Sequence, residues 1–156
     1  MTGSSVRNQS LELPNGSIAW QPCKIGDSLT VGKSCSIGSL AHIGRNVIMG
    51  DNCRIQGGAY IADECKLGKQ VFVGPNATLL NDRFPPSGDK KLWQPINVGD
   101  GAVIGGGATV IAGCNVGENA VLAAGAVLTK HLPDGEVWAG NPATFLMTRS
   151  EYEAKR

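Results

Sequence analysis

From Ile25 the chain places an aliphatic residue at every sixth position: Val31, Ile37, Ile43, Met49, Ile55, Ile61, Leu67, Val73 and Leu79. The pattern resumes at Val98 and runs through Ile104, Val110, Val116, Leu122 and Leu128. All sixteen positions are Ile, Leu, Val or Met, types that account for only 37 of the 156 residues. The flanking positions are patterned as well. The next residue is usually small and most often Gly, as at Gly38, Gly44, Gly74 and Gly105. Two residues before the aliphatic one stands Cys, Ala or Val in fourteen of sixteen cases, Leu29 and Ile96 being the exceptions. Three residues after it Gly or Asn recurs, from Asn46 and Asn52 to Asn119 and Gly125. These two types accept a left-handed backbone at low cost, so each hexad is expected to end in a tight turn.

A helix would scatter a six-residue repeat around its circumference, whereas short strands separated by turns keep it in register. In a strand the aliphatic residue and the small residue two before it share one face. Three strands then close a triangular coil of eighteen residues, and coils stack backbone to backbone at ~4.8 Å. The expected fold is all-β: a parallel β-helix of five or six coils, roughly 25–30 Å tall.

All five cysteines (Cys23, Cys35, Cys53, Cys65 and Cys114) fall on the small inward position. With no CxxC and no clustered His, they are expected to be small buried hydrophobes with reduced thiols, not metal ligands. The formal charge of +1 and the lack of any long apolar stretch give no nucleic-acid or membrane surface. The N-terminal sixteen residues lack the apolar core of a secretory leader, so a cytoplasmic location is expected.

The repeat breaks between Leu79 and Val98, a step of nineteen filled by a segment with three Pro, several charges, Phe84 and Trp93. This segment is expected to protrude from the prism as a functional loop over 80–97. Pro133 and Asp134–Gly135 end the pattern after Leu128. Spacing from about Ala143 onward suggests a short C-terminal helix that covers the open strand edges. The expected organisation is an N-terminal arm over 1–17, the β-helix over 18–142 and a helical tail over 143–156.

The hexads, the extruded loop and the closing segment AAGAVLTKHLPDGEVWAGNPAT resemble the hexapeptide-repeat acyltransferases, left-handed parallel β-helix proteins. Within them, DNCRIQGGAYIADECKLGKQVFVGPNATLLNDRFPP followed by Trp93 is similar to the N-acetyltransferases of nucleotide-linked 3-amino-3-deoxy sugars. The resemblance implies an acetyl-CoA co-substrate without a metal, and a UDP- or dTDP-linked amino-sugar acceptor. It also implies a homotrimer with active sites between neighbouring subunits.

Acetyl transfer from a thioester requires a nucleophile, a site for the oxyanion and removal of one proton. A sugar hydroxyl needs a positioned base, most often His, whereas an amine of pKa ~8 is already about 10% neutral at pH 7. The loop contains no His, which favours an amine acceptor. Asn81–Asp82 matches the resembled group's motif and is expected to recognise the acceptor. Asp82 could hold its ammonium or take a proton, and Asn81 could bond the amine or a neighbouring hydroxyl. His42 precedes an inward Ile and so points outward, two coils from the strand that launches the loop; it is either catalytic or an interface residue. His131 is expected at the surface. By resemblance, Gly105 and Ala123 lie along the pantetheine, with Lys130 and Asn141 near the phosphate and adenine end. Arg149, Lys155 and Arg156 could meet coenzyme phosphates. The alternatives are a sugar O-acetyltransferase, an acetyltransferase of free amino sugars or antibiotics, or a non-catalytic structural β-helix. A zinc enzyme of the same fold needs three His, and the chain has two.

Overall fold

A computed structural model describes residues 9–156; the first eight residues of the expected arm lie outside the described residues. The chain winds as a parallel β-helix with three flat faces, built mostly from two-residue strands. The first face stacks Ser17–Trp20, Ser36–Ile37, Arg54–Ile55, Phe72–Val73, Val103–Ile104, Val121–Leu122 and Glu136–Ala139. The second runs from Lys24–Ile25 through His42–Ile43, Tyr60–Ile61, Thr78–Leu79 and Thr109–Val110 to Val127–Leu128. The third holds Thr30–Val31, Ile48–Met49, Lys66–Leu67 and Asn97–Val98, extended by single bridges at Val116 and Leu132.

Register fixes the core. Residues eighteen apart pair directly, as Ile25 with Ile43 and Ile43 with Ile61, so like side chains stack in columns. Ile37, Ile43, Ile55, Ile61, Leu79, Ile104, Leu122 and Leu128 are fully buried. Each contributes roughly 1.5–3 kcal/mol relative to exposure. Between coils, main-chain bonds such as Gly26 N–H to Ile43 O at 2.7 Å and Gly44 N–H to Ile61 O at 2.8 Å join every rung to the next.

The corners explain the rest of the hexad. All nine Gly and Asn positions expected to be left-handed have positive φ, among them Asn46 at 56° and Gly125 at 70°. The glycines that follow inward aliphatics lie hard against the coil above. A Cβ on Gly38 would stand 2.5 Å from Gly57 N, and one on Gly74 2.5 Å from Gly106 N.

The break at the loop is an insertion within one coil. Phe72 pairs with Val103, thirty-one residues on instead of eighteen, and the ladder continues undisturbed. The prism also outlasts its visible repeat. Leu132 bridges to Val116 and Val137 pairs with Val121, both sixteen residues apart. Two residues are missing from this last coil, so a six-step count stops at Leu128 although the winding does not.

Both ends differ from expectation. Ser10–Leu13, within the expected arm, pairs antiparallel with Ser17–Trp20 and extends the first face. The tail over 143–156 is not helical throughout. Thr144–Thr148 is a strand antiparallel to Glu136–Ala139, and only Arg149–Glu153 is helical, opened by a Thr148–Glu151 capping box. A helix cannot satisfy the free N–H and C=O groups along the last rung, whereas a strand does so directly.

All five cysteines are free thiols. Burial pushes Cys53 and Cys65 up to about 11, so both remain protonated and unreactive at neutral pH. Unfolding in denaturant should release five titratable thiols. Gly38→Ala should destabilise the fold by about 2–3 kcal/mol in urea unfolding, since the backbone it meets cannot yield. Leu40 is 71% exposed with φ 65°, so Leu40→Asn should instead stabilise it by roughly 1 kcal/mol.

Candidate active site

Strand alternation turns Lys24, His42, Tyr60 and Thr78 outward on successive coils of the second face. The His42 and Tyr60 rings stack, with centroids 4.7 Å apart and planes 23° from parallel. Where this ladder meets the root of the loop there is a cleft of about 430 Å³. Lys24, His42 and Tyr60 form its floor, Asp27, Arg45 and Asp63 its side, and the loop contributes Asn81 and Trp93.

The electrostatics of the cleft centre on Asp63. Its carboxylate accepts the Arg45 backbone N–H at 2.8 Å and the guanidinium Nε and Nη2 at 2.9 and 2.6 Å. Burial of this carboxyl opposes ionisation, but the Arg45 hydrogen bonds and charge outweigh it and hold the group below the usual carboxylate range. The Asp63 carbonyl accepts from Asn81 Nδ2 at 3.4 Å, which ties the start of the loop to the coil of Asp63. Lys24 and Asp27 form no ion pair among the described residues, so the cleft offers both signs of charge to a ligand.

The loop is held at its neck. Gln94 N–H donates to Asn81 O at 2.6 Å, Gly113 N–H to Gln94 O at 2.7 Å, and Arg83 Nη1 to Ala112 O at 3.0 Å. Asp89 starts a 3₁₀ turn at Lys90–Leu92 by accepting from Lys91 N–H. Phe84 at the tip is 79% exposed.

The sequence-derived residues separate into three places. Asn81 and His42 come together in the cleft. Asp82 does not line it. Its carboxylate accepts the N–H groups of Phe84 and Ser87, at 3.3 and 2.9 Å, and its backbone bridges to Trp93. Short acidic side chains before a turn satisfy nearby amides in this way. Lys130 lies on the far side of the loop with Arg83, Phe84 and His131. His131 Nδ1 accepts the Asn115 N–H at 2.9 Å.

Gly105, Ala123 and Asn141 share the corner between the first and second faces. The N–H groups of Gly105 and Ala123 are consumed by the ladder, donating to Leu122 O and Trp138 O at 2.7 and 2.8 Å. The next residues, Gly106 and Ala124, have N–H groups with no partner among the described residues. At four positions on the other two corners an Asp of the following coil fills this role: Asp63 caps Arg45, Asp51 caps Lys33, Asp100 caps Lys69 and Asp134 caps Glu118. The sequence carried this signal in the Asp two residues after an inward aliphatic, and in its absence from the Gly106–Ala124 corner. No group of three or more His, Cys, Asp or Glu among the described residues is arranged to hold a metal.

The family model described as bacterial transferase hexapeptide (six repeats) matches residues 28–63, 46–81 and 95–130. The chain is 45% identical over 86 residues to the 2,3,4,5-tetrahydropyridine-2,6-dicarboxylate N-acetyltransferase of Staphylococcus carnosus. That match covers 55% of this chain and 34% of the relative, so the chain spans about a third of the length of the curated relatives it matches. Among solved structures it is similar to PerB from Caulobacter crescentus in complex with CoA and GDP-perosamine. That likeness has 25% identity and a TM-score of 0.73, over 83% of this chain and 56% of PerB. AntD, an N-acyltransferase from Bacillus cereus, shares the fold at TM-score 0.76 and 12% identity, over 90% of this chain and 85% of its own.

Because Asp63 titrates below its unfolded value, its ionised form stabilises the fold fully above about pH 4, the unfolded range. That stabilisation is lost as pH falls through the lower folded value. Asp63→Asn should therefore be less stable than the parent at pH 7, and urea unfolding should show the gap narrowing progressively as pH falls below about 4.

Proposed function

The chain belongs to the hexapeptide-repeat family of bacterial transferases, and we propose that it is an acetyl-CoA-dependent N-acetyltransferase of a nucleotide-linked amino sugar. The observation that carries this is the cleft itself. A stacked His42–Tyr60 pair, a cation and an acid at Lys24 and Asp27 with no ion pair among the described residues, and the Asn81 carboxamide converge at the root of the loop. An acceptor bearing an ammonium, phosphates and a flat base meets complementary groups there. The N-acetyltransferase names of the relatives and the CoA and GDP-perosamine bound to PerB support the same chemistry.

The neutral amine attacks the thioester carbonyl carbon. A C–N bond forms, the C–S bond breaks, and the departing thiolate takes up the proton that the nitrogen loses. No strong base is required, since about a tenth of an amine of pKa ~8 is neutral at pH 7. Asn81 orients the amine or an adjacent hydroxyl, and His42 accepts a hydrogen bond from the acceptor. Asp82 acts as a positioning residue: it fixes the turn that places Asn81 and Trp93. The pantetheine amides lie along the Gly105–Ala123 corner, where the N–H groups of Gly106 and Ala124 are available to them. Asn141 closes the upper end of that corner, and Lys130 meets a phosphate. The working unit is a homotrimer, in which the loop, with Phe84 and Leu92 exposed, packs on a neighbouring subunit and completes the site.

One observation favours a second acceptor. The curated relative at 45% identity acts, by its name, on a cyclic dicarboxylate. Lys24 and Arg45 would then meet carboxylates, and the transfer step would be unchanged.

Thiol release from acetyl-CoA should separate the two, when measured against a panel of UDP-, GDP- and dTDP-amino sugars and the tetrahydropyridine dicarboxylate. Turnover on an amino-sugar nucleotide is expected, and turnover on the dicarboxylate alone would overturn that assignment. Asn81→Ala and Asp82→Ala should each lower acceptor kcat/KM by about tenfold or more while acetyl-CoA affinity stays nearly constant. His42→Ala should cost less than about a hundredfold; a larger loss would make His42 a general base.

A further inference from the structure

A second site lies on the first face, away from the cleft at Asn81. A recess of about 380 Å³ opens between the last helix and the corner at Gln70, Gly101 and Asn119. Three guanidinium groups line it, those of Arg54, Arg149 and Arg156, and no carboxylate does. The chain as a whole carries a formal charge of only +1, so this concentration is local.

Each arginine is placed by the fold. Arg54 and Phe72 are neighbours on successive outward rungs, and the Arg54 guanidinium lies 5.6 Å over the Phe72 ring. Arg54 has no acidic partner among the described residues. Arg149 opens the last helix. Its backbone N–H donates to Gly135 O at 2.7 Å, and its Nη1 donates to Gly101 O and Asn119 O, both at 3.2 Å. Glu153 alone serves both Arg149 and Arg156, at 2.5 and 2.8 Å. Asp100, beside Gly101 in sequence, is turned to the Lys69 N–H at 2.8 Å. Three guanidinium charges are thus set against one carboxylate. The Phe72 and Tyr152 rings are each approached by a guanidinium, which leaves donor edges and not apolar faces for a ligand. Planar donors that outnumber the single acid among them suit a tetrahedral dianion, which guanidinium groups bind in bidentate fashion.

We propose that this recess binds a phosphate dianion and that the bound phosphate ties the last helix to the prism. The chemistry is shared by free phosphate and by the phosphomonoester of a coenzyme. It does not depend on the acetyltransferase assignment, since binding is read without turnover.

Sodium phosphate, titrated against the intact chain at constant ionic strength set with sodium chloride, should raise the melting temperature saturably. Arg54→Gln should weaken phosphate binding by about tenfold, because one charged fork is lost, while leaving the melting temperature in chloride unchanged. Arg156→Gln should weaken binding in the same direction. Competition by CoA but not by dephospho-CoA would identify the phosphate as the coenzyme's monoester; failure of both to compete would identify free phosphate. Absence of a saturable rise, or an equal rise in the parent and Arg54→Gln, would overturn the site. If phosphate binds and no acetyl transfer occurs, the proposed function fails and this site stands.

Discussion

The eighteen-residue register is what the remainder of the molecule depends on. Each coil donates its main-chain N–H groups to the next, so a residue's height and face follow from its position in the count. That contact leaves no room for a Cβ above most residues that follow an inward aliphatic, and glycine stands at ten of the sixteen. Once register is fixed, chemistry can be written on the outward positions without disturbing the core. The Lys24–His42–Tyr60–Thr78 ladder and the Arg54–Phe72 pair are two such inscriptions on different faces.

Rigidity also explains how an irregular loop becomes useful. Thirteen extra residues are accommodated in one coil because the rungs before and after it still pair, Phe72 with Val103 and Thr78 with Thr109. The loop therefore leaves and returns at fixed points, and its neck bonds at Asn81–Gln94 and Arg83–Ala112 hold its first residues in place. The acceptor site proposed at its root would inherit the stiffness of the prism, and the tip at Phe84 is exposed.

Much of this was legible in the sequence because the repeat is local: six letters determine a strand, a corner and an inward face. Sixteen aliphatic positions, nine left-handed corners and the protruding loop follow from that grammar. What it could not give lay where the count changes or where partners are distant in sequence. The last coil is two residues short, so Leu132 escaped a six-step count. Thr144–Thr148 has a helix-compatible spacing, and only the unpaired edge of Glu136–Ala139 makes it a strand. Asp82 has the chemistry of an acceptor-binding acid, and that each of its carboxylate oxygens also accepts a turn N–H depends on a loop conformation that no repeat dictates. Conversely, the uncapped amides at Gly106 and Ala124 could have been found by asking which corner lacks its Asp.

Acetyl transfer is proposed to occur between the Asn81 cleft of one subunit and the Gly106–Ala124 corner of a neighbour. A crystal structure with CoA and an amino-sugar nucleotide tests it most directly. The expected result is a trimer with the acceptor nitrogen within hydrogen-bond reach of Asn81, and pantetheine amides paired to Gly106 and Ala124. Ligands bound elsewhere on the prism, or both held within a single isolated chain, would contradict it.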